Sequence, residues 1–267
     1  MQNSLLLQPP LGATVDPRVE FWVTLINVIV GLAWLGYALV EWRRTGRTTF
    51  LLLVLGGAAM CIIEPFIDTV GACWFPQNAP AAFKFYGRPM PYWLIFSYLN
   101  YFGVGTAVIW RMMRAGMSRG KLWGLYAGMF IADVILEAVL LPFNSYLYYG
   151  SQPLVILHFP IWWAAINSCT PIMLAAAVTR YEAYFSHSWR QLAIIPLSLT
   201  ITMAVNAAVG WPSWLVINTP VSGLITQIGG LTSIALSIWL TAFIVKEFAA
   251  APAAAAPKLS NLANQIS

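Results

Sequence analysis

The sequence predicts an all-α polytopic membrane protein, a seven-transmembrane-helix bundle with its N-terminus outside and its C-terminus cytoplasmic. Of its 267 residues, 60% are hydrophobic and only 9% are charged, whereas soluble domains carry roughly 25% charged residues. Seven apolar stretches each reach the roughly 20 residues that a helix needs to cross a bilayer. Lys and Arg concentrate in alternate connections, which indicates how the chain is oriented.

The predicted spans occupy one domain between two short end segments. Residues 1–19 form an extracytoplasmic segment, and they lack the basic and apolar regions of a cleaved signal peptide. Residues 247–267 form a cytoplasmic tail that is rich in Ala and Pro, and we expect it to be disordered. The domain between them covers residues 20–246, and its spans are 20–42, 50–74, 91–113, 121–143, 154–178, 191–211 and 221–246.

The basic residues divide unequally between the two sides of the predicted membrane domain. Eleven of the 14 Lys and Arg residues follow the first, third, fifth or seventh span or precede the next one, and only Arg18, Lys84 and Arg88 fall on the opposite side. The richer side is cytoplasmic by the positive-inside rule. The net charge of +5 therefore reflects topology, and we expect no nucleic-acid partner.

Two pairs of carboxylates lie inside predicted spans. Glu64 and Asp68 are four residues apart in the second span, as are Asp133 and Glu137 in the fourth, so each pair occupies one helix face. Carboxylates at membrane depth are costly and mark functional sites. We expect the four to share one catalytic site, in which at least one is a neutral acid able to donate a proton. A purely structural role for Glu64 beside a kink at Pro65 is the alternative.

Other polar and aromatic side chains are predicted at similar depth. His158 is the only histidine in a predicted span, since His187 falls in a cytoplasmic connection. A lone histidine is as often a packing residue as a functional one. Aromatic faces near the acids would stabilise a cation. The expected substrate-binding residues are His158, Trp162, Asn100, Tyr98, Tyr101, Asn167, Asn206 and Gln227.

The sequence offers little for a metal or cofactor. It has no Glu-x-x-His motif of the di-iron bundles, only two histidines, and few cations to hold a diphosphate. Lys246 lies at the cytoplasmic end of the last span, which disfavours a retinal Schiff base. Cys61 and Cys73 are about 18 Å apart along one helix, too far for a disulfide. We therefore expect no metal, no cofactor and an uncharged lipophilic substrate.

The topology and Glu64 together resemble the integral-membrane terpene cyclases of meroterpenoid and indole-diterpenoid pathways. Those proteins are small seven-helix bundles with an acidic residue in the second span, and the resemblance implies that Glu64 protonates an epoxide or alkene of a prenylated substrate. The polyene then closes through carbocations. The family also has a late essential Asp, but residues 214–220 and the last span before Glu247 contain no acid. Asp133 or Glu137 would take that second role.

The leading interpretation is therefore a membrane-bound, acid-initiated cyclase or isomerase whose partners are a lipophilic isoprenoid or prenylated small molecule and the membrane lipids. We expect an integral, multi-pass location in a bacterial plasma membrane or a eukaryotic endomembrane. The alternative is a proton- or cation-coupled transporter or a lipid-binding membrane receptor, for which intramembrane carboxylates are also typical. Transporter folds commonly contain internal repeats, and this sequence shows none.

Overall fold

The computed structural model describes residues 7–186 and 188–248. His187 and the tail from residue 249 lie outside this range, so the predicted cytoplasmic connection at His187 and the predicted disorder of the tail also lie outside it. The described chain is mostly helical, as predicted. Within it, six helical segments are long and apolar enough to cross a membrane: Pro17–Thr45, Thr49–Gly71, Tyr92–Arg114, Arg119–Phe143, Trp189–Ile217 and Gly223–Phe248. They support a multi-pass membrane protein.

The helices α1 (Pro17–Thr45), α6 (Arg119–Leu140), α9 (Ile194–Ile217) and α10 (Gly223–Phe248) carry most of the exposed apolar surface. Ile131 and Ile135 of α6 and Trp239 of α10 are examples of their large exposed side chains. Such a surface is unfavourable in water and suits contact with lipid acyl chains. The exposed apolar surface and the lengths of the apolar helices therefore both indicate that these helices contact lipid.

The predicted fifth span begins later than expected. Residues 154–160 do not form the helix start that we predicted; strands β5 (Val155–Ile156) and β6 (Phe159–Pro160) pair as a short hairpin. Pro160 disfavours a helical conformation at the residue before it, so helix α7 runs only from Trp162 to Arg180. It packs against α9, α10, α6 and the helix Gly105–Arg114 at the centre of the bundle.

The second and third spans are interrupted helices. In the second, α2 (Thr49–Met60) is separated from α3 (Glu64–Gly71) by a 3-10 turn, Cys61–Ile63. Pro65 has no N–H to donate to the carbonyl of Cys61, but the N–H of Glu64 donates to that carbonyl across the turn. In the third, α4 (Tyr92–Tyr98) and α5 (Gly105–Arg114) flank a π-helical turn, Leu99–Val104.

The two interrupted spans cross at a pair of glycines. A Cβ atom added to Gly57 would overlap the backbone of Gly103, and one added to Gly103 would lie 2.6 Å from the carbonyl oxygen of Val54. Small residues at a helix crossing allow this close approach of two backbones. The crossing holds α2 against the π-helical turn and so sets the position of α3 relative to α4.

The connections at one end of the bundle pair with one another, and we call this the hairpin end. Strand β1 (Cys73–Trp74) pairs antiparallel with β4 (Leu147–Tyr148). The side chain of Gln152 donates to the carbonyl of Gly71 at 2.9 Å. Strands β2 (Ala81–Phe85) and β3 (Arg88–Pro91) form a hairpin beside them. These contacts close the hairpin end over the helices.

The opposite end of the bundle carries most of the basic residues and both of the ion pairs seen in the described chain. Arg114 contacts Glu182 of the short helix α8 (Glu182–Phe185) at 2.9 Å, and Arg111 contacts Glu41. Both pairs involve at least one partly exposed side chain. Two of the cations at this end are thus paired with carboxylates, and neither pair includes a residue of the predicted carboxylate pairs.

We predict that Gly57→Ala destabilises the fold, because its methyl group would overlap the backbone of Gly103. The expected loss is about 1–3 kcal/mol, as for other overpacked sites. The matched control is Gly128→Ala on α6, where an added Cβ meets nothing within 4 Å. The thermal unfolding midpoint of the purified protein measures both. Equal midpoints for the two variants would contradict the close crossing.

Candidate functional site

A cavity of about 70 Å³ lies between α3, α4, α6, α7, α9 and the hairpin end. All four predicted catalytic carboxylates line it, so the structure brings the two pairs together as expected. Its lining residues are Glu64, Ile67, Asp68, Cys73, Phe75, Trp93, Leu94, Ser97, Tyr98, Tyr101, Phe102, Asp133, Leu136, Glu137, Tyr146, Tyr148, Trp163, Asn167, Thr202 and Asn206.

The first carboxylate pair is placed by the break in the second span. Because α3 begins at Glu64, the two acids occupy the first and second turns of this short helix, on one face. The hydroxyl of Tyr98 donates a hydrogen bond to Glu64 Oε2. Asp68 is 2% exposed, and its neighbour across the cavity wall is the thiol of Cys73, which hydrogen-bonds to it.

The second pair projects from α6. Asp133 and Glu137 are 4% and 6% exposed on a helix whose opposite face is apolar and open to lipid. Asn167 of α7 donates through Nδ2 to Asp133 Oδ2 at 3.0 Å. The hydroxyl of Tyr148, in β4, donates to Glu137 Oε1 at 3.2 Å. Burial raises the pKa of Tyr148 well above its ordinary value, so its hydroxyl stays protonated and remains a donor.

Neutral donors, rather than cations, hold these carboxylates. Within residues 7–186 and 188–248, none of the four forms an ion pair. The nearest buried cation on the hairpin end, Arg88, donates to Thr69 and Tyr149, each at 2.8 Å, and to the carbonyl of Cys73. Its charge acts on Asp68, but its side chain does not line the cavity. The cavity is therefore acidic and has no cation of its own.

Several polar atoms of lining residues have no hydrogen-bond partner in the described part of the chain. They are Asp68 Oδ2, Glu137 Oε2, Asn206 Oδ1 and Trp163 Nε1. Buried polar groups are almost always paired with protein or with water. Three acceptors and one donor are thus available to a polar ligand or to ordered water inside the cavity.

A continuous group of rings lines the cavity beside the acids, and we call it the aromatic wall: Phe75, Trp93, Tyr146, Tyr148 and Trp163. Its rings contact one another with centroid separations from 5.4 Å for Phe75 and Tyr146 to 6.4 Å for Tyr148 and Trp163. Four of these five residues lie in or next to the paired connections of the hairpin end, and Trp163 lies in the first turn of α7. The wall therefore depends on how those connections fold inward.

Four of the eight predicted substrate-binding residues line the cavity: Tyr98, Tyr101, Asn167 and Asn206. Trp162 does not, although it is fully buried; it stacks on Trp163 with a centroid separation of 4.2 Å, and only Trp163 reaches the cavity. Asn100 turns away within the π-helical turn, and its Nδ2 donates to the carbonyl of Asn27 on α1 at 3.2 Å.

The placement of His158 in a span was wrong. It is an exposed residue of the β5–β6 hairpin with φ of 67°, and it does not line the cavity. Gln227 also lies elsewhere, because its side-chain oxygen accepts from the N–H of Leu154 at 2.8 Å and anchors that hairpin to α10. Neither residue lines the cavity, and both lie at the hairpin that replaces the expected start of the fifth span, since α7 starts at Trp162.

The sequence reasoning missed most of the aromatic wall. A signal for two of its members was present, since Tyr146 and Tyr148 alternate around Leu147, and alternation places such side chains on one face of a strand. The partner of that strand is Cys73–Trp74, and its residue Trp74 pairs with Leu147, which lies 73 residues later in the chain. No local pattern indicates that pairing. The inward position of Phe75 and Trp93 also follows from tertiary packing alone.

No cluster of three or more His, Cys, Asp or Glu side chains in the described ranges is arranged to hold a metal ion. Cys61, Cys73 and Cys169 are free and buried. Comparison with protein-family models, with curated proteins and with solved structures finds no match for this chain.

We predict that Glu137→Gln raises the stability of the protein. The amide keeps the shape and the acceptor that Tyr148 uses, and it removes a buried carboxylate that has no cation partner, a change expected to gain about 1 kcal/mol. Glu247→Gln, at an exposed position near the end of α10, is the control and should have no effect. Thermal unfolding midpoints decide, and a lower midpoint for Glu137→Gln would contradict the prediction.

Proposed function

We propose that this protein is a membrane-bound cyclase that protonates an epoxide or alkene of an uncharged isoprenoid and guides the resulting carbocation to a cyclic product. The observation that supports it most is the shared cavity, in which four carboxylates without cation partners face a wall of aromatic rings. We further propose that the chain is a seven-helix bundle, with α7 as its fifth span, its N-terminus outside and its C-terminus cytoplasmic.

Glu64 is the proposed general acid. It stands at the first turn of α3, where Tyr98 donates to one of its oxygens and orients the carboxyl group. A carboxylic acid enclosed in an apolar bundle can stay neutral and so carry a transferable proton. Tyr98 is then a positioning residue, because it acts through Glu64.

The other three carboxylates complete the proton balance. Protonation of the substrate by Glu64 generates a carbocation, and ring closure moves that charge along the polyene as each alkene attacks it. Loss of a proton from the last cation forms the product alkene, and Asp68, Asp133 or Glu137 would accept that proton. One proton enters and one leaves, so substrate and product have the same mass.

The aromatic wall has a role in this scheme as a stabiliser of positive charge. A cation within about 6 Å of an aromatic face is attracted by the ring quadrupole, most strongly by Trp. Trp163 and Tyr148 stand beside each other and near the carboxylates that they help to enclose. Enclosure also keeps bulk water from capturing the cation before ring closure.

The assignment of an isoprenoid depends on the resemblance to integral-membrane terpene cyclases, since the cavity itself supports proton transfer to any lipophile. Intramembrane carboxylates would equally suit a proton- or cation-coupled transporter. The two functions differ in their products: a cyclase yields an isomer of its substrate, whereas a transporter leaves the chemical identity of its cargo unchanged.

We predict that Glu64→Gln reduces product formation by at least about 100-fold, because the amide has the same shape but cannot deliver a proton. Membranes carrying the protein would be incubated with prenylated compounds with and without terminal epoxides, and isomers of unchanged mass would be measured. Glu182→Gln, at the basic end, is the control and should retain activity. Normal turnover by purified, folded Glu64→Gln would remove Glu64 from the acid role.

We also predict that the two carboxylate pairs are energetically linked. Groups in one network deviate from additivity by roughly 0.5–3 kcal/mol, whereas distant groups add within about 0.5 kcal/mol. The measurement is a double-mutant cycle, which compares the reaction rates of the unmodified protein, Glu64→Asp, Asp133→Asn and the double variant. Additive effects on the activation free energy would contradict a single shared site, and the cyclase proposal would then depend on Glu64 alone.

A further inference from the structure

The cavity is too small to hold a whole isoprenoid. Its volume is about 70 Å³, whereas sites that bury a small organic ligand usually measure roughly 300–1,000 Å³. The cavity has room for the reacting end of a substrate beside the carboxylates. The remainder of a long apolar substrate needs an adjoining space.

Such a space adjoins the cavity on the side of α3 and α9. A mainly apolar groove of about 730 Å³ lies there, bounded by the N-terminal segment that begins at Leu7. Its walls are formed by Leu7, Gln8, Pro9, Leu11, Phe66, Ile67, Thr69, Val70, Trp74, Tyr86, Gly87, Arg88, Met203, Ala207 and Trp214. Met203 and Ala207 are exposed, so the groove opens sideways toward the lipid.

The groove and the cavity have one lining residue in common. Ile67 lines both spaces, and it stands on α3 between Glu64 and Asp68. It is 4% exposed, so its side chain fills the wall between them. A polyene lying in the groove would therefore reach the proposed acid where Ile67 stands between the two spaces.

We infer that this groove is the binding site for the apolar chain of an uncharged isoprenoid substrate, which enters from the membrane and passes its reacting end into the cavity at Ile67. The identity of the occupant depends on the proposed function, while the existence of a lateral prenyl-binding groove can be tested without turnover. Two other occupants are conceivable: an ordinary lipid acyl chain, and residues 1–6 of this chain, which directly precede Leu7.

The test uses the full-length protein in lipid nanodiscs and a farnesol that carries a photoreactive diazirine. Illumination should attach the probe to the segments 66–74 and 203–214, and unlabelled farnesol should prevent it. Ala207→Trp, which fills the groove, should reduce labelling about tenfold, the effect of a modest loss of contact energy. Ala208→Trp is the matched control, because Ala208 is exposed on the same helix but does not line the groove.

The variant Ile67→Ala tests the proposed passage between the groove and the cavity. It also keeps the proposal testable if the Ala207→Trp protein does not fold. Removing the isoleucine side chain should extend labelling to residues 130–140 of α6, where Asp133 and Glu137 face the cavity. Labelling that remains confined to the groove in this variant would overturn the proposed passage at Ile67.

The remaining outcomes identify the occupant. Equal labelling by a straight-chain alcohol of the same length, or a severalfold rise after residues 1–6 are removed, would overturn the inference in favour of ordinary lipid or of the N-terminal segment. Specific labelling of the groove without any Glu64-dependent product would retain the groove and refute the cyclase. Product formation that is unchanged in Ala207→Trp would retain the cyclase and refute the groove as its substrate-binding site.

Discussion

The arrangement of this protein depends on one electrostatic constraint: four carboxylates, three of them buried and Glu64 partly buried, line one cavity of an apolar bundle without a cation. A buried carboxylate is costly unless hydrogen bonds or charges compensate it. Here the compensation comes from neutral donors, among them Tyr98 for Glu64, Cys73 for Asp68, Asn167 for Asp133 and Tyr148 for Glu137. These donors come from α4, β1, α7 and β4, so the site requires the whole bundle.

The irregular elements of the fold are the ones that bring those donors into place. The 3-10 turn before Glu64 starts a new short helix whose face points at α4, and the π-helical turn after Tyr98 shifts the helical register beside it. Interruptions of this kind recur at functional sites in helices. The pairing of β1 with β4 then carries Cys73 and Tyr148 over the acids and closes the cavity.

The same irregular elements also explain why two of the predicted site residues do not line the cavity. Trp162 and Asn100 are each adjacent in sequence to a residue that lines the cavity, Trp163 and Tyr101. A shift of one residue rotates a helical side chain by about 100°, because 3.6 residues make a turn. At these two positions the predicted residue is therefore one place away from a residue that faces the cavity. Which of the two neighbours faces the cavity depends on where α7 starts and on the π-helical turn.

The sequence by itself determined the membrane class, the positions of the long apolar helices and the two carboxylate pairs, because hydrophobic length and helical spacing are local properties of a chain. It also placed Asn167 and Asn206 at the depth of the acids. Only the tertiary structure decided that His158 lies in a peripheral hairpin, that Gln227 of α10 binds this hairpin, and that Phe75, Trp93, Tyr146 and Tyr148 wall the site. Those positions depend on pairing between connections far apart in the sequence, which local propensity and hydropathy cannot specify.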